Sequence, residues 1–228
     1  MNIVDLYNGI YKQYRTINLI LSLGLDKWWR KNLIKELKQI KPLPETICDI
    51  CAGTGDLTEI LAYEFSKSII KAVDANPNML ELAIKKNKFN NVEFIKSNIK
   101  KLPFEDNLFD CVTISFATRN IYFSNEFDEI IKEINRVLKN GGIFIGVEII
   151  NHPSKIINFF SKIYIKFAIS LINKINPTIS TSYNFLKNSI FKFDLKKFKD
   201  ILIKNIGNIK IKYVFPGNII IHISQKTI

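Results

Sequence analysis

The sequence predicts an α/β fold, a mostly parallel seven-stranded sheet flanked by helices and closed by an antiparallel C-terminal hairpin. Three observations lead there. From Thr46 onward, short β-branched runs alternate with amphipathic segments, the rhythm of parallel strands joined by helical crossovers. The junction Cys48-Asp49-Ile50-Cys51-Ala52-Gly53-Thr54-Gly55-Asp56 runs from strand to helix, with glycines where the backbone must turn sharply beside a ligand. The chain closes with two alternating runs joined at Pro216-Gly217, a tight-turn pair.

The elements follow in order. Residues 1–40 read as a helical N-terminal segment that packs beside the site. Within it the apolar stretch Ile17 to Leu25 is broken by Asn18, Ser22 and Gly24 and runs into Asp26-Lys27-Trp28-Trp29-Arg30, so it is neither a spanning helix nor a signal peptide. Strands are predicted at Thr46–Ile50, Ile69–Asp74, Val92–Lys96, Asp110–Phe116 and Ile143–Ile149, with helices between them that include Pro77–Lys88 and Ser124–Leu138. Asn140-Gly141-Gly142 predicts a helix stop ahead of the fifth strand. Residues 154–190 form an inserted helical cover: Ser154 to Ile175 is apolar, aromatic and dotted with lysines, and a polar stretch follows around Pro177 to Asn188. Ile209–Val214 and Asn218–Ser224 form the closing hairpin. No repeat or linker divides the chain, so residues 1–228 read as a single domain.

At 228 residues and 47% hydrophobic, the chain can bury one sizeable core. Its net charge of +12 suits an anionic surface or an acidic ligand. The lysines are spread along the whole sequence, and no arginine-rich or aromatic-interleaved module is present, which argues against nucleic acid. Three cysteines, an odd and small number, fit a reducing cytoplasm without disulfides.

The glycine turn has Thr58 where a dinucleotide fingerprint needs a third small residue, and it lacks the Gly-Lys-Ser/Thr ending of a phosphate loop. Asp74 ends the next strand, about twenty residues on, where a carboxylate can accept both hydroxyls of a ribose. After the third strand come Asn98 and Ile99, an amide for an adenine edge and an aliphatic chain for its face; after the fourth comes Ser115. Each has an ordinary alternative: a helix cap for Asp74, a simple tight turn for Gly53 and Gly55. Contacts at four successive strand ends are more specific, because ligands of open α/β sheets bind at the carboxyl edge. Cys48 and Cys51 spell C-x-x-C, but they lie in a strand and no second pair completes a metal site.

With these residues in place, the chain resembles the menaquinone and ubiquinone biosynthesis C-methyltransferases, a branch of the class I (Rossmann-like) methyltransferases, over nearly its whole length. The matching stretches are Tyr14 to Arg30, Asp49 to Asp56, Leu102 to Phe116, Arg119-Asn120 and Arg136 to Gly142, then Tyr183 to Ile190 and the strand holding His222. Arg15 stands where the family usually has an acid, Asn140 replaces a common proline, and Asn98 replaces a frequent aspartate. The resemblance implies S-adenosylmethionine as cofactor, contacted by Asp49, Thr54, Asp74, Asn98, Ile99 and Ser115, with Gly53 and Gly55 shaping the loop. No metal is implied.

The resemblance also implies C-methylation of a polyprenyl quinol ring, demethylmenaquinol above the benzoquinol of ubiquinone synthesis. An O- or N-methyltransferase of another small molecule is the alternative. Methyl transfer to carbon needs an electron-rich ring aligned with the donor methyl, so Arg119 would stabilise a developing phenolate, Asn120 would hydrogen-bond a ring oxygen, and Tyr14 would cap the pocket. His152 is a candidate proton acceptor or a plain loop residue, and His222 reads as structural. Ile156 to Ile175, with aromatic residues beside Lys162 and Lys166, would either cover the core or touch lipid at the inner face of the membrane. A homodimer stays open.

Overall fold

The computed structural model describes residues 14–152, 154–175, 189–190 and 192–227. Strands and helices alternate as α1 (Tyr14–Ser22), α2 (Asp26–Ile40), β1 (Thr46–Ile50), α3 (Asp56–Glu64), β2 (Ile69–Asp74), α4 (Pro77–Lys86), β3 (Val92–Lys96), β4 (Phe109–Ser115), α5 (Thr118–Tyr122), α6 (Phe127–Val137), β5 (Leu138–Ile149), α7 (Lys155–Ile175), α8 (Leu195–Asn205), β6 (Ile209–Val214) and β7 (Ile219–Gln225). Residues 1–13 and 176–188, which carry part of the expected N-terminal segment and of the helical cover, lie outside the described residues.

The sheet has the order β3-β2-β1-β4-β5-β7-β6. Its first five strands pair in parallel, and β7 joins β5 and β6 antiparallel. From β1 the chain steps outward through β2 and β3, then returns to β4 on the other side. That reversal opens a crevice at the carboxyl ends of β1 and β4, where ligands of such sheets bind.

Both faces of the sheet are covered, which explains why its central strands are apolar throughout. On one face Cys48, Ile50, Val112, Ile114 and Phe144 pack against Phe127, Ile130, Ile131, Ile134 and Val137 of α6 and Phe198 and Leu202 of α8. The α6 set recurs at helical spacing, so one stripe of that helix faces the sheet. On the other face Ile47, Ile70, Cys111, Ile145 and Val147 meet Trp29, Leu33, Ile34 and Leu37 of α2 and Leu57 and Leu61 of α3. α4 starts with Pro77 behind Asn76, whose side chain accepts from the Asn78 and Met79 amides, an N-cap in front of a first-turn proline.

Asn140-Gly141-Gly142 behaves differently from its sequence expectation. β5 begins at Leu138, immediately after α6. Leu138 pairs with Phe109 and the next ladder pair is Ile143 with Cys111, so residues 139–142 stand opposite Asp110 alone, a surplus of three on the β5 side. They form an irregularity inside the strand instead of a linker ahead of it. A Cβ on Gly142 would lie 2.7 Å from the Lys139 carbonyl oxygen, which bars any larger residue there.

At mid-sheet Gly146 of β5 faces His222 of β7. The His222 ring is fully buried between Phe144 and Phe198, with Nε2 3.3 Å from the Thr118 hydroxyl. Burial pulls its pKa down to about 3, so it packs as a neutral ring.

α7 carries two apolar faces. Ile165, Ala168, Ile169 and Ile172 are buried, and three of them pack with Ile190 beside Ile20, Leu21 and Ile149. The Tyr164 hydroxyl donates to the Ile20 carbonyl and ties α7 to α1. Ile156, Phe159, Phe160, Ile163 and Phe167 form the other stripe, and each is more than half exposed.

Candidate active site

The turn after β1 is built from left-handed backbone. Cys51 (φ 53°), Gly53 (φ 56°) and Gly55 (φ 75°) all lie in that region, and Gly55 precedes the first residue of α3. A Cβ on Gly55 would press 3.2 Å from the Ala83 Cβ, whereas at Gly53 it would meet nothing within 4 Å. Space is therefore open directly over the turn, beside the amide-bearing start of a helix. Phe116, at the end of the adjacent β4, is a second non-glycine residue with positive φ, 56°. Backbone held in this region costs free energy in a non-glycine residue and collects at functional sites. Here it occurs on both sides of the crevice.

Asp74 locks the turn to β2. Its Oδ2 accepts from the Gly53 amide at 2.8 Å and its Oδ1 from the Asn76 amide at 2.8 Å. Burial raises its pKa above the ordinary carboxylate range, and the Asn76, Gly53 and Ala75 amides partly offset that. Two oxygens with about four lone-pair positions leave acceptor capacity for a ligand. Asp49 lies underneath, 1% exposed, with Oδ2 accepting from Thr58 at 2.6 Å and Oδ1 from Thr113 at 2.9 Å. Burial pushes its pKa up to about 6, against the pull of those two hydroxyls and of Arg30. Asp49 is thus a prop beneath the turn, with both oxygens engaged. The Thr54 hydroxyl donates to Asp56 at 3.0 Å.

At the end of β3, Asn98 is exposed and its Oδ1 accepts from the Lys100 amide at 3.1 Å, which leaves its NH2 group uncommitted among the described residues. Ile99 packs against the core beside Leu102 and Phe104. Ser115 ends β4, half-buried, and its hydroxyl accepts from Arg30 Nε at 3.4 Å. Arg30 is itself buried, 2.5 Å from Asp26 and with its guanidinium carbon 5.1 Å from the Phe116 ring centroid. Sequence reasoning quoted Arg30 within a matching stretch but gave it no role. Its signal was an arginine directly behind the Trp28-Trp29 pair in the opening turns of α2.

Arg119 and Asn120 lie in α5 directly past the carboxyl end of β4, and both are buried. Arg119 Nη1 is 2.7 Å from Glu148 Oε1, its Nε donates to Ser189 Oγ at 2.8 Å, and its own amide donates to Glu148 Oε2 at 2.9 Å. A surface salt bridge is therefore not its setting. Sequence reasoning missed Glu148, although it is the one acid in the apolar run Ile143 to Ile150.

His152 Nδ1 accepts from the Ser154 amide at 3.0 Å, which places the proton of the neutral ring on Nε2. The ring then has no vacant acceptor nitrogen, so the structure favours the plain loop reading. The side chain of Tyr14, at the start of α1, lies outside the described residues, as do residues 183–188 of the later matching stretch. Cys48, Cys51 and Cys111 are free thiols, each pushed up by burial, Cys111 to about 12. Reactive thiols are shifted the other way.

The profile of the ubiE/COQ5 methyltransferase family matches residues 1–226. A demethylmenaquinone methyltransferase of Staphylococcus saprophyticus is 32% identical, over 97% of this chain and 95% of its own length. That of Staphylococcus aureus is 31% identical, over 96% and 91%. Among solved structures, a SAM-dependent methyltransferase of Thermotoga maritima superposes with TM-score 0.67 at 21% identity, over 98% of this chain and 99% of that one. Phosphoethanolamine N-methyltransferase 2 of Haemonchus contortus, in complex with S-adenosyl-L-methionine, gives 0.62 at 16%, over 87% and 53%. A turn opened by glycines, a carboxylate on the neighbouring strand and an arginine-asparagine pair past β4 are the features of this site, and the chain that builds them belongs to the ubiE/COQ5 methyltransferase family.

Proposed function

We propose that this chain transfers a methyl group from S-adenosylmethionine to a ring carbon of a polyprenyl quinol, with demethylmenaquinol as acceptor. The observation that carries the reading is the buried Arg119-Asn120 pair at the end of β4, the strand beside the glycine turn. The family and the names of the relatives support carbon methylation in menaquinone synthesis over the O- or N-methyl alternative.

When bound, the cofactor supplies an electrophilic methyl group on a sulfonium. Asp74 would accept the ribose hydroxyls, Asn98 and Ile99 would take the edge and face of the adenine, and Gly53, Thr54 and Gly55 would line the open turn. Asp49 acts beneath that turn through Thr58. Ser115 faces the same crevice from β4. Arg119 and Asn120 would hold a ring oxygen of the quinol and favour its ionised form, which makes the neighbouring carbon nucleophilic. Tyr14 would close the pocket. Holding two reactants in line can lower a barrier by about 7–11 kcal/mol, so few catalytic side chains are needed.

Among the described residues no helix is long and apolar enough to cross a membrane. The exposed stripe of α7, flanked by Lys155, Lys162 and Lys166, suits peripheral contact with an anionic bilayer in which the prenyl tail resides.

The test supplies labelled S-adenosylmethionine with demethylmenaquinol and with a benzoquinol analogue, and locates the label by mass spectrometry. Label on a ring carbon of the naphthoquinol is expected, and label on oxygen would reject the reading. Arg119→Ala should bind S-adenosylhomocysteine normally and lose about a hundredfold or more in turnover; normal turnover would remove Arg119 from the mechanism.

A further inference from the structure

We infer that Glu148 is a positioning residue for methyl transfer, fixing Arg119 so that one edge of its guanidinium is left for the acceptor ring. The inference rests on the assignment of Arg119 to that ring.

Glu148 is 0% exposed, in the otherwise apolar run Ile143 to Ile150, and spends its whole carboxylate on one neighbourhood. Oε2 accepts from the Arg119 amide at 2.9 Å, which sets the start of α5. Oε1 accepts from Arg119 Nη1 at 2.7 Å and from the Ile149 amide at 2.8 Å. Arg119 Nε is taken by Ser189 Oγ at 2.8 Å, and Nη1 also reaches the Ile149 carbonyl at 3.4 Å. A guanidinium has five donors in a rigid fork. Those on Nε and Nη1 are engaged, while Nη2 has no hydrogen-bond partner among the described residues. The planar group is held along one edge and offers the other.

Stability alone is a poor reason for such a pair. Replacing a buried ion pair by well-packed apolar residues is often neutral or stabilising, whereas removing one partner strands a charge. Arg119 lies just past the carboxyl end of β4 and Glu148 is the next-to-last residue of β5, so the pair sits at the carboxyl edge of the sheet, beside the crevice. Orientation is what it supplies there.

The experiment uses the full chain and compares the wild type with Glu148→Gln, Arg119→Met and the double variant Arg119→Met/Glu148→Met. Calorimetric titration with S-adenosylhomocysteine reads cofactor binding, and labelled transfer to demethylmenaquinol in detergent reads kcat and KM. Glu148→Gln should keep its S-adenosylhomocysteine affinity within about twofold and lose about a hundredfold in kcat, the usual effect of a misplaced reacting group. Because Glu148 acts through Arg119, the double variant should be within about twofold of Arg119→Met. The double variant carries no stranded charge, so it reads the coupling even if Glu148→Gln fails to fold. Glu148→Gln turning over like the wild type, or a double variant about tenfold or more below Arg119→Met, would overturn the inference while the quinol reading stands. An Arg119→Met protein as active as the wild type would instead remove the arginine from the reaction, and this inference with it.

Discussion

Replacing Asp74 by asparagine separates its two roles, locking the glycine turn and receiving a ribose. The carboxylate accepts from the Gly53 amide through one oxygen and from the Asn76 amide through the other, each at 2.8 Å. Whichever way an asparagine side chain turns, its NH2 group confronts one of those N–H donors. One charge-assisted hydrogen bond is lost, worth about 1.5–3 kcal/mol. Burial already disfavours the Asp74 charge, and the neutral amide recovers part of that cost. A net loss of about 1 kcal/mol lowers Tm by about 2–4 °C in a domain of this size. On the ligand side, an amide oxygen can accept from only one of two ribose hydroxyls. Losing one charge-assisted bond weakens binding by about 10- to 150-fold. Calorimetric titration with S-adenosylhomocysteine at pH 8, with a thermal melt on the same preparation, measures both. Because the folded pKa of Asp74 is raised, wild-type affinity should also begin to fall, on acidification, above the ordinary carboxylate range. A variant with a lowered Tm and unchanged affinity would refute the ribose assignment and leave Asp74 as a turn lock only.

Gly146→Ala would set a Cβ 2.3 Å from His222 Nε2 and 2.5 Å from Ile114 Cγ2; overpacking of this kind costs about 1–3 kcal/mol, a Tm loss of roughly 2–12 °C, and an unchanged melt would contradict the close packing of β5 on β7. Asp49, raised from 3.8 to about 6 mainly by burial, binds its proton more tightly in the folded chain. Its contribution to stability is full below pH 3.8 and is lost as pH rises through about 6, about 3 kcal/mol in all. Asp49→Asn should remove that dependence, so the stability gap between wild type and variant must differ between pH 5 and pH 7.5, and a constant gap would reject it. Phe159→Ser with Phe167→Ser should weaken binding to anionic phosphatidylglycerol vesicles by on the order of tenfold per residue, with methylation of a short-tailed quinol intact; equal partitioning by wild type and variant would discard the membrane role of this stripe.

Local rules made much of the molecule legible. Strand runs such as Thr46–Ile50, Ile69–Asp74 and Val92–Lys96 are bounded by their own composition and appear with those bounds in the fold. The glycines at 53 and 55 announced a left-handed turn because few other residues adopt it. Asp74 was legible as a strand-end carboxylate at a fixed spacing from that turn. All of these depend on residues close together in the chain.

What only the tertiary structure decided involves distant residues or alternatives that are locally equivalent. Asn140-Gly141-Gly142 has the composition of a helix stop, and it became a strand irregularity because α6 delivers Leu138 straight onto Phe109. Asp49 belongs to a ligand motif in sequence, yet hydroxyls nine and sixty-four residues away hold it beneath the turn. α7 reads as one amphipathic helix, and only its packing on α1 and β5 distinguishes the covered stripe from the bare one. Arg119 and Glu148 stand twenty-nine residues apart and meet only because β4 and β5 lie side by side. Periodicity and turn chemistry act over a few residues, whereas a buried charge finds its partner through the topology of the sheet.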